Sequence, residues 1–366
     1  MARGPAPGES DVGYHRAMPH DVVRPPRLRR GDTVAMVSLS AGLAASFPHV
    51  IRSAERVLAE RLELTLVAAP NAWRDDAFLR AHPQARADDL AWALETSDVR
   101  GVLSAIGGDD AVRVALLLDP EHIRRNPKPF VGFSDTTAIH AAFARAGVAS
   151  FYGPALMSGI ADGAGLPMVL DDFERALFGL EDKWSVTDPG VMAVDVLRWQ
   201  RADYAEAARV PREVRPVPGP VVLQGDATAE GHLVGGCGEV LEMLKGTPAW
   251  YPDRVWDGAV LLLETSEDVP PPDFVGYWLR NYGAMGVLAR LAALVVARPR
   301  GYDDQQRASL MHLVPRVLAE FGRDDLPVLF DVACGHTQPM HTLPLLSRVR
   351  VDPERAALTV VEAGVT

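Results

Sequence analysis

Pro129-Phe130-Val131-Gly132-Phe133-Ser134-Asp135-Thr136-Thr137 is a short apolar run that stops at a serine and passes at once into a helical pattern. A strand ending this way holds the serine hydroxyl over a helix N-terminus, where unpaired N–H groups lie close to a developing oxyanion. Ser, Asp and Thr are also ordinary N-cap residues, so the stretch alone reads first as the plain start of a helix. The rest of the chain decides between a cap and a nucleophile.

Working outward toward the N-terminus, Thr33-Val34-Ala35-Met36-Val37 reads as a buried strand closed by the small-residue loop Ser38 to Gly42. A helix is expected from about His49 to Glu60, a strand at Leu64 to Val67, and a second helix from Ala85 to Glu95. Val102 to Ile106 is an apolar strand ending at Gly107-Gly108-Asp109-Asp110, with a helix from Ala111 to Leu118 behind it. Strands apolar on both faces that alternate with helices predict an α/β fold, a parallel sheet with helices on both sides. Ligands of such sheets bind outside the carboxyl ends of the strands, which is where both Gly107-Gly108 and Ser134 fall.

Toward the C-terminus, Ser150 to Pro154 is a short strand and turn, and the tidy alternation then lapses. Residues 161–219 form a long connection carrying Trp184 and Trp199, and long irregular connections are often functional. From Pro220 strands return: Val221 to Leu223, His232 to Val234, Ala259 to Leu263 ending at Glu264, Leu294 to Ala297, and Pro327 to Val332 leading into Cys334-Gly335-His336. Helices are expected at Asp273 to Tyr282 and over 304–320. The expected division is a disordered or loosely docked tail at 1–30, an N-terminal α/β domain at 31–160, the connection at 161–219, and a C-terminal domain at 220–366.

Composition bounds the function. The chain has 366 residues, 48% hydrophobic and 23% charged, with a net charge of −11. That describes a globular protein of about two domains, and a net negative charge without a basic stripe argues against a nucleic-acid partner. Two distant cysteines, Cys237 and Cys334, make neither a disulfide framework nor a zinc spacing. No apolar run approaches the roughly 20 residues of a membrane helix, and the first residues lack an apolar signal core. The expectation is a cytoplasmic protein without a membrane partner.

Three side chains share one position type: Ser134, Glu264 and His336 each follow the carboxyl end of an apolar strand. A hydroxyl becomes nucleophilic when an imidazole takes its proton, and a carboxylate fixes the imidazole tautomer. Each also has a plainer reading: a cap for Ser134, an arginine partner for Glu264, a solvated loop position for His336. The G-x-S-x-G elbow is not met, because Thr136 replaces its second glycine. Gly107-Gly108 could cradle a phosphate, yet Asp109-Asp110 would repel one; as an oxyanion loop it fits better. A metal site from Asp109, Asp110, Asp135 and His140 lacks any metal-ligand spacing.

Taken jointly, Ile106-Gly107-Gly108-Asp109-Asp110, Asn126 to Thr137, Phe151-Tyr152-Gly153-Pro154, Glu230 to Gly236, Leu262-Leu263-Glu264 and Gly335 to Pro339 resemble the LD-carboxypeptidase family of serine peptidases. The resemblance spans about residue 27 to the C-terminus. It implies Ser134 as nucleophile, Glu264 and His336 as its partners, and an oxyanion hole from the N–H groups of Gly108 and Asp135. It further implies a parallel-sheet N-terminal domain, a smaller mixed α/β C-terminal domain with the site at their interface, a homodimer, and neither metal nor organic cofactor. Gly107, Asp109, Tyr152 and Trp199 are expected on the substrate side. The substrate would be a small peptide, as in murein-recycling members, or an aminoacyl nucleotide, as in the immunity branch, where a tryptophan-bearing loop can stack on adenine. Gly-Gly-Asp-Asp in place of Gly-Gly-Tyr-Gly and the tryptophan connection incline toward the immunity branch. The alternative is a non-catalytic small-molecule binder on the same fold.

Overall fold

In the computed structural model, which describes residues 22–366, five parallel strands build the first sheet: β1 (Thr33–Val37), β2 (Thr65–Ala68), β3 (Val99–Ser104), β4 (Phe130–Gly132) and β5 (Ser150–Tyr152). Their spatial order is β2-β1-β3-β4-β5, so the winding reverses between β1 and β3. At that switch point the loops after β1 and β3 meet, Ala41 N donating to Gly107 O at 3.1 Å. Val34 to Val37 and all of β4 are buried, as strands covered on both faces must be.

The ordered chain begins earlier than expected. The predicted tail at 1–30 falls partly outside the described residues, but Val23 bridges Val148 and Leu28 is buried against Gly101 of β3. Leucine in a proline- and arginine-rich stretch leaves no periodicity to read, which is why the sequence hid this anchor.

The connection contributes β6 (Trp184–Val186) and a separate hairpin, β7 (Val191–Ala193) with β8 (Val214–Pro216). After it come β9 (Val221–Gln224), β10 (Ala229–Cys237), β11 (Val260–Glu264), β12 (Ala293–Ala297), β13 (Val328–Val332), β14 (Leu343–Leu345), β15 (Arg348–Asp352) and β16 (Ala357–Val360). The second sheet has the order β6-β16-β15-β10-β11-β12-β13-β9, parallel through β10 to β13 and antiparallel at both flanks. Two strands cross the expected boundaries. β6 joins this sheet from the connection, and β14 leaves it to pair with β5, placing Leu343 opposite Tyr152.

The two sheets touch where the site forms. Cys237 N, at the end of β10, donates to Thr137 Oγ1 at 3.0 Å. A side chain at Gly236 (φ 143°) would come within 2.7 Å of Thr137 Oγ1 and 2.8 Å of the Tyr152 ring. Only glycine permits that approach.

Candidate active site

β4 ends at Gly132 and the chain turns sharply, with Ser134 at φ 60°. A left-handed non-glycine residue needs its surroundings to hold it and is common at functional turns. Here Thr136 Oγ1 donates to Phe133 O at 2.8 Å, and a Cβ at Gly132 would lie 2.6 Å from that hydroxyl. Ser134 opens a single 3₁₀ turn, Ser134–Thr136, before the helix Thr137–Ala146. Its hydroxyl caps neither. Instead Ser134 Oγ lies 3.0 Å from His336 Nε2, so the cap reading gives way. The turn is strained as a nucleophile elbow is, without the elbow's second glycine.

The glycine loop packs on this serine. A Cβ at Gly107 would sit 2.9 Å from both Cβ and Oγ of Ser134, and Gly108 adopts φ 152°, where a side chain would collide with Ser40. The Asp135 carboxylate ties loop and turn together: its Oδ2 accepts from the Ser40 hydroxyl, from Asp110 N at 2.8 Å and from Ala111 N at 2.7 Å. Burial raises the pKa of this carboxyl, and those three donors oppose the rise. The sequence offered Asp135 as a cap, a candidate metal ligand or an N–H donor, and hid this clamp. Asp110 pairs with the fully buried Arg86 at 2.5 Å, and Asp109 with Arg80 at 2.9 Å. His140 is a core residue, bonded to Ser150 Oγ and Gly132 O, its pKa lowered by burial to about 4.

Glu264 is the last residue of β11, and His336 follows β13 by a short loop that crosses the end of β12. The ladder shifts register as β13 leaves β12, and Asp331 takes φ 76° there, held by Arg307 at 2.7 Å. Glu264 Oε2 accepts from His336 Nδ1 at 2.7 Å and from His336 N at 3.2 Å. This approach requires Gly335 (φ 73°), since a Cβ there would collide with Glu264 Oε2. The imidazole, 6% exposed, stands edge-on to Phe133 at 5.0 Å. Neither the arginine-paired reading of Glu264 nor the solvated reading of His336 survives.

A fourth group, absent from the sequence reading, reaches the same ring. Glu267 Oε2 lies 2.9 Å from His336 Nε2. Burial lowers the pKa of His336, but the carboxylates of Glu264 and Glu267 outweigh it and raise the value to about 10. The hydrogen bond from His336 in turn holds the Glu267 carboxyl down, to about 2. Nothing in one dimension separates Glu267 from the solvated Asp268 beside it.

Two residues expected to meet substrate lie elsewhere. Tyr152 is fully buried: its hydroxyl donates to Glu264 Oε1 at 2.5 Å and accepts from Ser134 N at 3.2 Å, so it stands behind those two residues. Trp199 turns its indole toward the first sheet, donating from Nε1 to Met157 O at 3.0 Å and packing on Phe47. Trp184 is buried in β6. What opens beside His336 is a cavity of about 870 Å³, walled by the β7–β8 hairpin and the loops after β12 and β13.

Against known proteins, the profile of the LD-carboxypeptidase N-terminal domain matches residues 34–153, and that of the LD-carboxypeptidase C-terminal domain matches residues 230–351. The chain belongs to the LD-carboxypeptidase family. It is 25% identical over 339 residues to the microcin C7 self-immunity protein MccF of Escherichia coli, covering 91% of this chain and 94% of that protein. It is 26% identical over 348 residues to a Bacillus subtilis protein assigned as a murein peptide carboxypeptidase, covering 94% and 95%. A structure of MccF in complex with aspartyl sulfamoyl adenosine superposes with a TM-score of 0.79 at 22% identity, covering 94% of this chain and all of the other. That likeness establishes the fold. As a member of this serine peptidase family the chain is a hydrolase of the carboxypeptidase or immunity type.

Proposed function

We propose that the protein hydrolyses peptide or amide bonds with a Ser134-His336-Glu264 triad through an acyl-enzyme. The observation that carries this is His336 placed between the other two, Nδ1 on Glu264 and Nε2 on Ser134. In the reacting state a neutral His336 takes the Ser134 proton at Nε2 while Glu264 fixes the tautomer. Ser134 Oγ attacks the carbonyl carbon, and the oxyanion faces the backbone N–H groups of Gly108 and Asp135. The C–N bond breaks as His336 returns the proton to the leaving amine. Water, deprotonated by the same imidazole, then cleaves the ester.

The substrate we propose is a small peptide or aminoacyl nucleotide, in keeping with the two kinds of relative. Among the described residues no helix is long and apolar enough to cross a membrane, and a cytoplasmic homodimer is the form we propose. Sedimentation as a monomer would remove the dimer. The decisive assay sets a murein tetrapeptide beside an aminoacyl sulfamoyl adenosine. Ser134→Ala should abolish turnover of whichever is cleaved, with the circular dichroism melt unchanged. Undiminished hydrolysis by that variant would overturn the nucleophile assignment.

A further inference from the structure

Gly108 N and Asp135 N, which face the oxyanion in the mechanism above, have no hydrogen-bond partner among the described residues. They stand beside the serine. A Cβ built on Gly107 would lie 2.9 Å from Ser134 Oγ and 3.4 Å from Asp135 N. Donors of this kind lower a barrier only when they are already aimed at the place where charge develops. Glycine loses more freedom on ordering than any other residue, so this loop has to be held.

The hold is assembled from three strand ends. After β1, Ser40 donates its hydroxyl to Asp135 Oδ2, and Ala41 N donates to Gly107 O at 3.1 Å. After β3, Asp110 N and Ala111 N donate to the same Oδ2 at 2.8 and 2.7 Å. After β4, Asp135 supplies both that oxygen and its own N–H. Ser40 and Asp135 are each 1% exposed. Gly108 lies directly on Ser40, since a Cβ there would collide with the hydroxyl and reach 2.9 Å from Ala41 N. From behind, Arg86 Nη1 donates to the carbonyls of Leu39 and Ser40 at 3.2 and 3.3 Å, while its Nη2 pairs with Asp110.

A plainer role explains part of this. A carboxylate on Asp110 N and Ala111 N caps the short helix Ala111–Ala115. The Ser40 hydroxyl, however, comes from a different loop and gives that helix nothing. Burying a carboxylate is costly, and Asp135 Oδ1 is buried without a partner. One oxygen therefore holds two loops against the nucleophile turn.

We propose that Ser40 and the Asp135 carboxylate are the positioning residues of the oxyanion hole, fixing the Gly108 and Asp135 N–H groups against Ser134 before substrate arrives. Both side chains lie behind the loop and act through those two N–H groups. This assignment rests on the triad reading, because the hole has a use only beside a nucleophile.

Full-length Ser40→Ala, Asp135→Asn and Asp135→Ala are compared with wild type in two assays. One is steady-state kinetics on whichever substrate the wild type cleaves. The other is the rate of fluorophosphonate labelling, which places a phosphoryl oxygen in the same hole. Ser40→Ala keeps every charge and removes one hydrogen bond, so kcat and the labelling rate should fall about tenfold at an unchanged KM. The pH midpoint of labelling should stay in place, because His336 keeps all its partners. Asp135→Ala frees the loop and should cost roughly a hundredfold or more, with Asp135→Asn, which retains an acceptor, between the two. Should Asp135→Ala fail to fold, Ser40→Ala and Asp135→Asn decide. Wild-type rates in Ser40→Ala with a lowered melting temperature would make the clamp a structural tie and overturn the assignment. A shifted pH midpoint would also overturn it, by placing the effect in the triad. A wild-type Ser134 that takes no label removes the hydrolase reading and this assignment with it. A labelled wild type with unaffected variants removes this assignment alone.

Discussion

Glu267 Oε2 and Ser134 Oγ approach the same nitrogen, Nε2 of His336, at 2.9 and 3.0 Å. Glu264 faces Nδ1, so both ring nitrogens face a carboxylate, an arrangement that favours the doubly protonated ring. An imidazolium cannot accept the serine proton. Glu267 is more than half exposed, on the loop after β11; under the proposed mechanism His336 has to lose its second proton before it can serve as base.

The pH profile should report this contact. The charged groups around the ring are Glu264 from β11, Glu267 from the following loop and Arg300 from the loop after β12. Glu267→Gln removes a carboxylate that favours the charged imidazole, so the His336 pKa falls and the neutral base persists to lower pH. The acid limb of kcat/KM should move down by about one unit or more. An unmoved limb would show that Glu267 does not set the His336 pKa in the free enzyme.

Tyr152→Phe removes the donor to Glu264 Oε1 and the acceptor for Ser134 N. Losing a hydrogen bond to a buried carboxylate costs about 1–3 kcal/mol. Steady-state kinetics should show kcat lowered roughly ten- to a hundredfold at an unchanged KM, because Tyr152 touches Ser134 and Glu264 and not the cavity. A raised KM with normal kcat would restore the substrate-side role.

Gly335→Ala places a methyl group against Glu264 Oε2 at a backbone conformation unfavourable to alanine. The Glu264–His336 pair is pushed apart, and small misplacements of this kind cost roughly a hundredfold in rate. Turnover should fall that far while urea denaturation shows a folded protein. Wild-type turnover would mean that the close approach is dispensable.

Arg86→Met takes from the Asp110 carboxylate its buried partner and leaves it only the exposed Arg113, at 3.2 Å. Breaking a buried pair from one side costs about 3–5 kcal/mol, read as a lower urea midpoint. Arg86→Met/Asp110→Asn should recover most of that loss. Equal destabilisation in both variants would place the defect in the carbonyls of Leu39 and Ser40 that Arg86 also binds.

The sequence by itself determined the α/β alternation and the placement of Ser134, Glu264 and His336 at strand ends. Burial on two faces and the break at a strand's end are local patterns, written in neighbouring residues. Tertiary structure alone decided which loops meet. Glu267 stands beside Asp268 in a loop whose composition says solvent, and only the crossing of β12 by the 333–336 segment brings a histidine to it. Tyr152 looked like part of a binding motif until β14 and Gly236 closed over it. Trp199 promised a stacking platform, but Phe47 and the Met157 carbonyl drew it to the first sheet, leaving the cavity to arginines scattered from 198 to 307. Those distances come from the packing of two sheets across a glycine contact, and no periodicity in the chain encodes them.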